Sequence, residues 1–357
     1  MQVKILGTML PGPSYNLAGV LMTTRTQRFV FFGVAILVVG LGTGMVASYV
    51  GLPNLGILAG NGPVELAYIP SDATAVAYAD VREIMDSGVR QKLLKLSPDA
   101  DSGADEFEAE TGINIQTDVD RLVAAVTGTP DPKNARPLLL ARGRFDTARI
   151  EAAIRAKGGT VEQYNRQRLI TFENSLGLSF VEPDLALVGE PSAVKRAIDT
   201  KAAGRQNITE NQNVMRLVRE FDGGNAWAVA HVEAVMSGNV IPAEVKQQLP
   251  PVTWFAISGR VDDGIHATVR AETRDEAAAN NLRDVIRGIV GLARLQAGQH
   301  PELAEVVNSL ELGGTGTTVS LGFTVPPAVI DILGAMRAKQ PRPSEAALLQ
   351  VLPLPGL

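Results

Sequence analysis

Ser192-Ala-Val-Lys195 sets a hydroxyl and an amine three residues apart. On a helix that interval is close to one turn, so the amine comes near the hydroxyl and could act as its base in acyl transfer. Enzymes that use this pair also carry Ser-Asp-Asn and Lys-Thr-Gly segments, and neither follows downstream. Ser192 also opens an apolar-periodic run through Val194, Ala197 and Ile198, where a serine caps a helix. Nucleophile and cap are competing readings, and the cap is the simpler.

The other reactive residue types converge less. His231, His266 and His300 are the only histidines; they are far apart and form no His-x-x-x-His pair, so no metal site is expected. Asp99, Asp101, Asp105 and Glu110 partly follow a calcium loop, but Ala104 stands where the sharp turn needs glycine and Gly103 where a ligand belongs. A solvated acidic turn is the better reading. Gly313-Gly-Thr-Gly316 precedes a strand and lacks the lysine of a phosphate loop, which makes it a hairpin turn. No Gly-x-Ser-x-Gly elbow occurs, and no general acid/base pair stands out among the carboxylates. No cofactor is expected. Trp227 and Trp254, the only tryptophans, lie on expected strands and either line an apolar pocket between sheet and helices or belong to the core.

Composition narrows the classes further. The chain has 357 residues, 45% hydrophobic and 20% charged, which is globular rather than disordered. A net charge of −5 leaves no basic face for phosphates, so nucleic acid is not an expected partner. With no cysteine there is no disulfide, thiolate metal site or thiol nucleophile. Asn207-Ile208-Thr209 is a glycosylation sequon, which matters only in a host with that machinery.

These residues hang from one stretch, Phe29–Leu52, which carries no charge. A spanning helix needs about 20 apolar residues, and this run is long enough. Arg25 and Arg28 precede it, and the next basic residue is Arg82. Positive charge resists translocation, so the N-terminus is expected in the cytoplasm and the rest outside. Val46-Ala47-Ser48 would also suit signal cleavage, but the apolar run continues past Ser48, favouring an uncleaved anchor. Met22 offers an alternative start, with residues 1–21 then untranslated. Gly40, Gly44 and Ser48 have the small-residue spacing through which two such helices pack, so a homodimer is a further expectation.

Beyond the anchor, residues 53–63 read as a Gly/Pro/Asn linker. A first half over 64–222 begins with a strand in Ala73–Ala79 and a helix burying Val81, Ile84 and Met85. Thr117 and Asp120 resemble a capping box, and Val119, Leu122, Val123 and Val126 follow helical spacing. A strand in Leu138–Ala141 comes next, then a helix capped by Asp146 with Ile150 and Ile154 inward. Strands follow at 161–164, 169–172 and 178–188, the last interrupted at Pro183, and then two helices, one from Ser192 and one burying Val214, Leu217, Val218 and Phe221. The pattern then restarts: Ala75–Met85 lines up with Ala226–Met236, and Gly143–Asp146 with Gly259–Asp262. The second half, 223–338, adds a helix at 242–249, a hairpin turned at Asp263-Gly264 and a helix at 275–296 with Leu282, Val285, Ile286, Ile289 and Ala293 inward. A helix through Leu303–Leu310, an alternating strand Val319–Val325 and a helix with Val329, Leu333 and Met336 follow, before a Pro-rich tail, 339–357, expected to be disordered.

Ile69-Pro-Ser-Asp-Ala73 ahead of a strand and helix, Gly112–Ile115 before Asp118-Val-Asp120, Gly143-Arg-Phe145, and Leu187-Val-Gly189 before Lys195–Asp199 resemble a set of membrane-anchored bacterial proteins of unknown function. The resemblance spans most of residues 64–200. It implies export and a repeated α+β fold, and it implies no activity. The expected architecture is therefore α+β: one N-terminal transmembrane helix, then two related halves of antiparallel sheet with helices on one face. The expected function is an extracytoplasmic binding or interaction protein of the bacterial envelope, partnered by the membrane through 29–52 and by an envelope protein or apolar ligand. The alternative is an envelope hydrolase or acyl-transfer enzyme using Ser192 and Lys195.

Overall fold

The computed structural model describes residues 48–49, 62–96, 108, 113–128, 135–172, 176–204, 206–221, 224–237, 251–297 and 301–331. The rest of the expected anchor, the acidic turn at 99–110 except Glu108, the helix expected at 242–249 and the C-terminal tail lie outside them. No helix among the described residues is long and apolar enough to cross a membrane.

Strands dominate the fold because runs of Val, Leu, Ile and Ala recur between turn residues. Those of the first half are β2 (Ala75–Asp80), β3 (Val119–Thr127), β4 (Arg136–Gly143), β5 (Thr160–Tyr164), β6 (Gln167–Phe172), β7 (Leu176–Glu182) and β8 (Leu185–Gly189). They continue as β9 (Ala226–His231), β10 (Val252–Val261), β11 (Gly264–Thr273), β12 (Glu311–Gly313) and β13 (Thr318–Val325). With the two-residue β1 (Ser48–Tyr49) they make one sheet, antiparallel at every pairing. The order is β12-β13-β11-β10-β9-β2-β3-β4-β8-β7-β6-β5, with Ser48 of β1 bridging Ile265 and Val325. The sheet therefore runs unbroken from one half into the other through the β2–β9 pair.

Helices cover both faces, not the single face expected. Leu185 and Leu187 of β8 enter one apolar cluster and Ala186 the other; Leu138 and Leu140 of β4 likewise oppose Ala141. On the first face lie α5 (Pro191–Ala203), α6 (Gln212–Arg219) and the 3-10 turn Val64–Tyr68, with Leu66, Val194, Ile198 and Leu217 inward. On the second lie α1 (Val81–Met85), α2 (Gly88–Leu96), α4 (Thr147–Ala156), α7 (Val232–Ser237), α8 (Glu276–Ala297) and α9 (Pro301–Asn308).

Further expectations are corrected. Residues 119–126 are strand, not helix: α3 (Ile115–Asp118) is a single turn capped by Asn114, and the Thr117/Asp120 box does not form, since Asp120 pairs with Arg82. Val123 and Ala125 face one side while Leu122 and Ala124 face the other. A central strand buried on both faces has no alternation, so its apolar positions matched a helical spacing by accident. The stretch expected as a strand to Val188 interrupted at Pro183 is a hairpin, β7–β8, turned at that point, Pro183-Asp184. Ser48 is extended here and so is no part of a helix face, while Gly40 and Gly44 lie outside the described residues. In α8, Val285 and Ile289 point to solvent, not inward.

Candidate functional site

Ser192 and Lys195 fall in the first turns of α5, where Pro191 fits the helix start and Glu190 is the cap residue; Ser192 is not the cap. The Ser192 hydroxyl donates to Glu190 Oε1 at 2.8 Å. Lys195 Nζ pairs with Glu162 Oε1 on β5 at 2.7 Å and lies 5.2 Å from the centroid of the Tyr164 ring. A lysine serves as base when it is neutral and aimed at the hydroxyl. Here the structure gives each member of the pair its own carboxylate.

Trp227 and Trp254 share the α5 face on neighbouring strands, opposite Ser258 and His231 respectively. Trp227 is buried, stacked on Tyr78 at 5.8 Å and packed on Phe221 at 5.4 Å. Its ring faces are thus occupied by core partners. Trp254 is only partly buried and meets His231 edge-on at 5.0 Å. His266 lies 3.1 Å from Thr324 Oγ1, and burial lowers its pKa. Among the described residues no group of three metal-ligating side chains converges; His300 lies outside them.

Beside Trp254 the face turns polar. Cross-strand register lays Glu272 against Trp254 and Thr318, and Arg270 against Ala256 and Ser320. Glu272 is buried and accepts from Arg216 at 3.2 Å and from Thr318 at 2.7 Å. Arg270 lies over the Phe221 ring at 5.9 Å, with Nη1 buried and without a hydrogen-bond partner among the described residues. The result is a strip with a half-buried indole, a guanidinium with spare donor capacity and a row of hydroxyls, able to hold an acceptor group beside an apolar surface. Sequence reading found Trp254 but not Arg270, whose only signal was its place in an alternating strand.

A second constellation went unseen because three distant segments build it. Arg142 on β4 ion-pairs with Glu65 of the 3-10 turn, with Glu182 at 3.0 Å and with Asp184 at 2.6 Å. Tyr68 donates to Glu182 at 3.0 Å. Glu65 is 1% exposed. Burial opposes charge on Arg142, yet the hydrogen bonds it donates to Glu65, Asp184 and Glu182 outweigh it and raise its pKa. This is a fastening, not a proton-transfer site: it ties the chain's entry to the sheet. A cleft of about 240 Å³ over α4 is lined by Arg155 and Arg168, both tied to Glu151.

No family model matches the chain, and no curated protein matches it. Among solved structures it is similar to TP0453 in crystal forms III, IV and I, at 9%, 10% and 8% identity. Coverage is 76%, 77% and 78% of this chain and 97%, 96% and 99% of TP0453, with TM-scores of 0.46, 0.43 and 0.41. Likeness at that level carries nothing over to this chain.

Proposed function

We propose that this chain is a single-pass membrane protein of a bacterial envelope, with its N-terminus in the cytoplasm and its α+β body outside as a binding module. The observation that carries the reading is the uncharged run Phe29–Leu52, with Arg25 and Arg28 before it and no basic residue after it until Arg82. With Ser48–Tyr49 extended, residues 29–47 are still enough for a helix of about 28 Å, close to the hydrocarbon thickness of about 30 Å.

We further infer that the two halves of the body are related. Ala77 sits opposite Ala228 in the β2–β9 ladder, and the match of Ala75–Met85 to Ala226–Met236 makes the same two residues equivalents. A pseudo-two-fold axis between them explains both facts. Asp146 and Asp275 then correspond: each follows the second strand of a hairpin and accepts from the backbone N–H three residues on, at 3.0 and 2.8 Å. The sequence match of Gly143–Asp146 to Gly259–Asp262 is thus displaced by one strand. The halves differ on the α5 face, which the first half's helices α5 and α6 cover, α6 reaching over β9, whereas the described second-half helices all lie opposite. That difference leaves the Trp254–Arg270 strip as the binding face, suited to a ligand or partner with an acceptor group beside an apolar part.

Native mass spectrometry of the full chain from its own membrane tests this. A bound lipid-sized mass or protein partner, lost on Arg270→Ala, is the expected result. Loss of function on Ser192→Ala, with binding intact, would instead establish the acyl-transfer alternative.

A further inference from the structure

The last three turns of α8 expose Val285, Ile289, Leu292 and Leu295 at 38%, 57%, 64% and 75%. The first three follow i, i+4, i+7 and so form one line, which Leu295 extends by a turn. Gly288 and Gly291 fall in the same arc, and a Cβ at either would meet no atom within 4 Å. The sheet uses the first half of the helix, through Ala279, Leu282 and Ile286 against Ala271 and Val319, and Ile289 lies within about 20° of Leu282 around the axis. One broad apolar arc is therefore covered over the first half of the helix and bare over the second. Charge along the stretch is one-signed: after Asp284, residues 285–297 carry Arg287 and Arg294 and no acid, in a chain of net charge −5.

We infer that this bare face of α8 lies in the headgroup layer of the membrane, its apolar arc toward the acyl chains and its arginines toward anionic headgroups. The inference rests on the membrane-anchor reading above and adds a second contact to it. Residues 53–63 span at most roughly 40 Å when extended, so the body is held within reach of the bilayer. Ser48–Tyr49, inside the apolar run, meets Ile265 and Val325 in the sheet sector that α2 and α9 cover, and α9 in turn packs on α8. A second copy docked by the same face fits less well. It would set arginines beside arginines, with only Asp284, already 2.6 Å from Arg287, to offset them.

The test uses the absence of cysteine. Leu292→Cys in the full chain takes one environment-sensitive nitrobenzoxadiazole label, and the protein is reconstituted in vesicles of phosphatidylethanolamine and phosphatidylglycerol. Gln163→Cys, exposed on β5 at the far sheet edge, is the control. The expected result is a blue-shifted emission at position 292 that shallow spin-labelled lipid quenches by about half or more, with neither effect at 163. A blue shift that lipid quenchers leave untouched would mean that protein covers the face, a second copy or the chain's own tail, and would overturn the proposal. Unshifted emission from vesicle-bound protein would overturn it too while leaving the anchor intact. Release of the chain by alkaline carbonate would overturn the anchor reading itself.

Discussion

Loss of Arg142 would leave a buried carboxylate without its counter-charge. Its guanidinium answers three carboxylates, one of them the buried Glu65. Removing one partner of a buried pair strands the other charge, whereas replacing both with apolar groups is far cheaper. Arg142→Met is expected to cost about 3–5 kcal/mol in denaturant unfolding, and Arg142→Met with Glu65→Leu to recover most of it. A single-variant cost below about 1 kcal/mol, typical of exposed pairs, would mean that the fastening does not hold the chain's entry. Nearby tyrosines set the alkaline limit. Burial, and after it Asp80, pushes Tyr78 up to about 12; burial and the hydrogen bond to Glu182 raise Tyr68 as well. In the unfolded chain both ionise near pH 10. The Tyr78 contribution is therefore complete below about pH 10 and lost as pH rises toward about 12. Melting temperature followed across that window should fall less steeply in Tyr78→Phe; an unchanged slope would remove Tyr78 from the account.

At the scale of elements, α8 separates two kinds of apolar residue that the sequence does not distinguish. Leu282 is buried against Val252, Ala271 and Val319, so Leu282→Ala should cost about 2–5 kcal/mol. Leu292→Ala in detergent solution should fall within about 0.5 kcal/mol of wild type, because the side chain touches no core. Equal costs would show that the exposed side is packed. Periodicity alone made Val285 and Ile289 inward, because both lie within about 60° of Leu282 around the axis, and period reports only that a face exists, not how far along the helix it is covered. The same limit explains β3. Elements with one wet face, such as α4 behind its Asp146 cap or the alternating β13, were legible; among those apolar on two sides, the short runs of β2 and β4 were read as strands and the longer β3 was not. Local stereochemistry adds one more expectation. A Cβ at Gly143 would overlap the Asp118 carbonyl where α3 passes into β3, so Gly143→Ala should destabilise by about 1–3 kcal/mol, measured by thermal unfolding.

For the whole molecule, the sheet matters more than the halves. The site residues were legible only where local spacing carried them. Ser192 and Lys195 are three positions apart, but their partners Glu190 and Glu162 come from other segments, and the Arg142 cluster gathers residues 65, 142, 182 and 184 with no pattern between them. The match of Ala75–Met85 to Ala226–Met236 was legible, yet spacing did not reveal that the two matched strands pair with each other. That pairing makes the body one unit. Cutting between the halves would bare the edges of β2 and β9 and expose Val76, Tyr78, Trp227 and Val229, which now share one core. Fragments 64–222 and 223–338 should therefore not fold when made separately, and the intact chain should unfold in one step. Both tryptophans lie in the second half, so their fluorescence follows that half alone, while far-ultraviolet circular dichroism follows both. Coincident midpoints in detergent-solubilised full chain are expected. A two-phase dichroism curve, with fluorescence tracking only one phase, would mean that the β2–β9 seam is a boundary between separately stable units and not the centre of one.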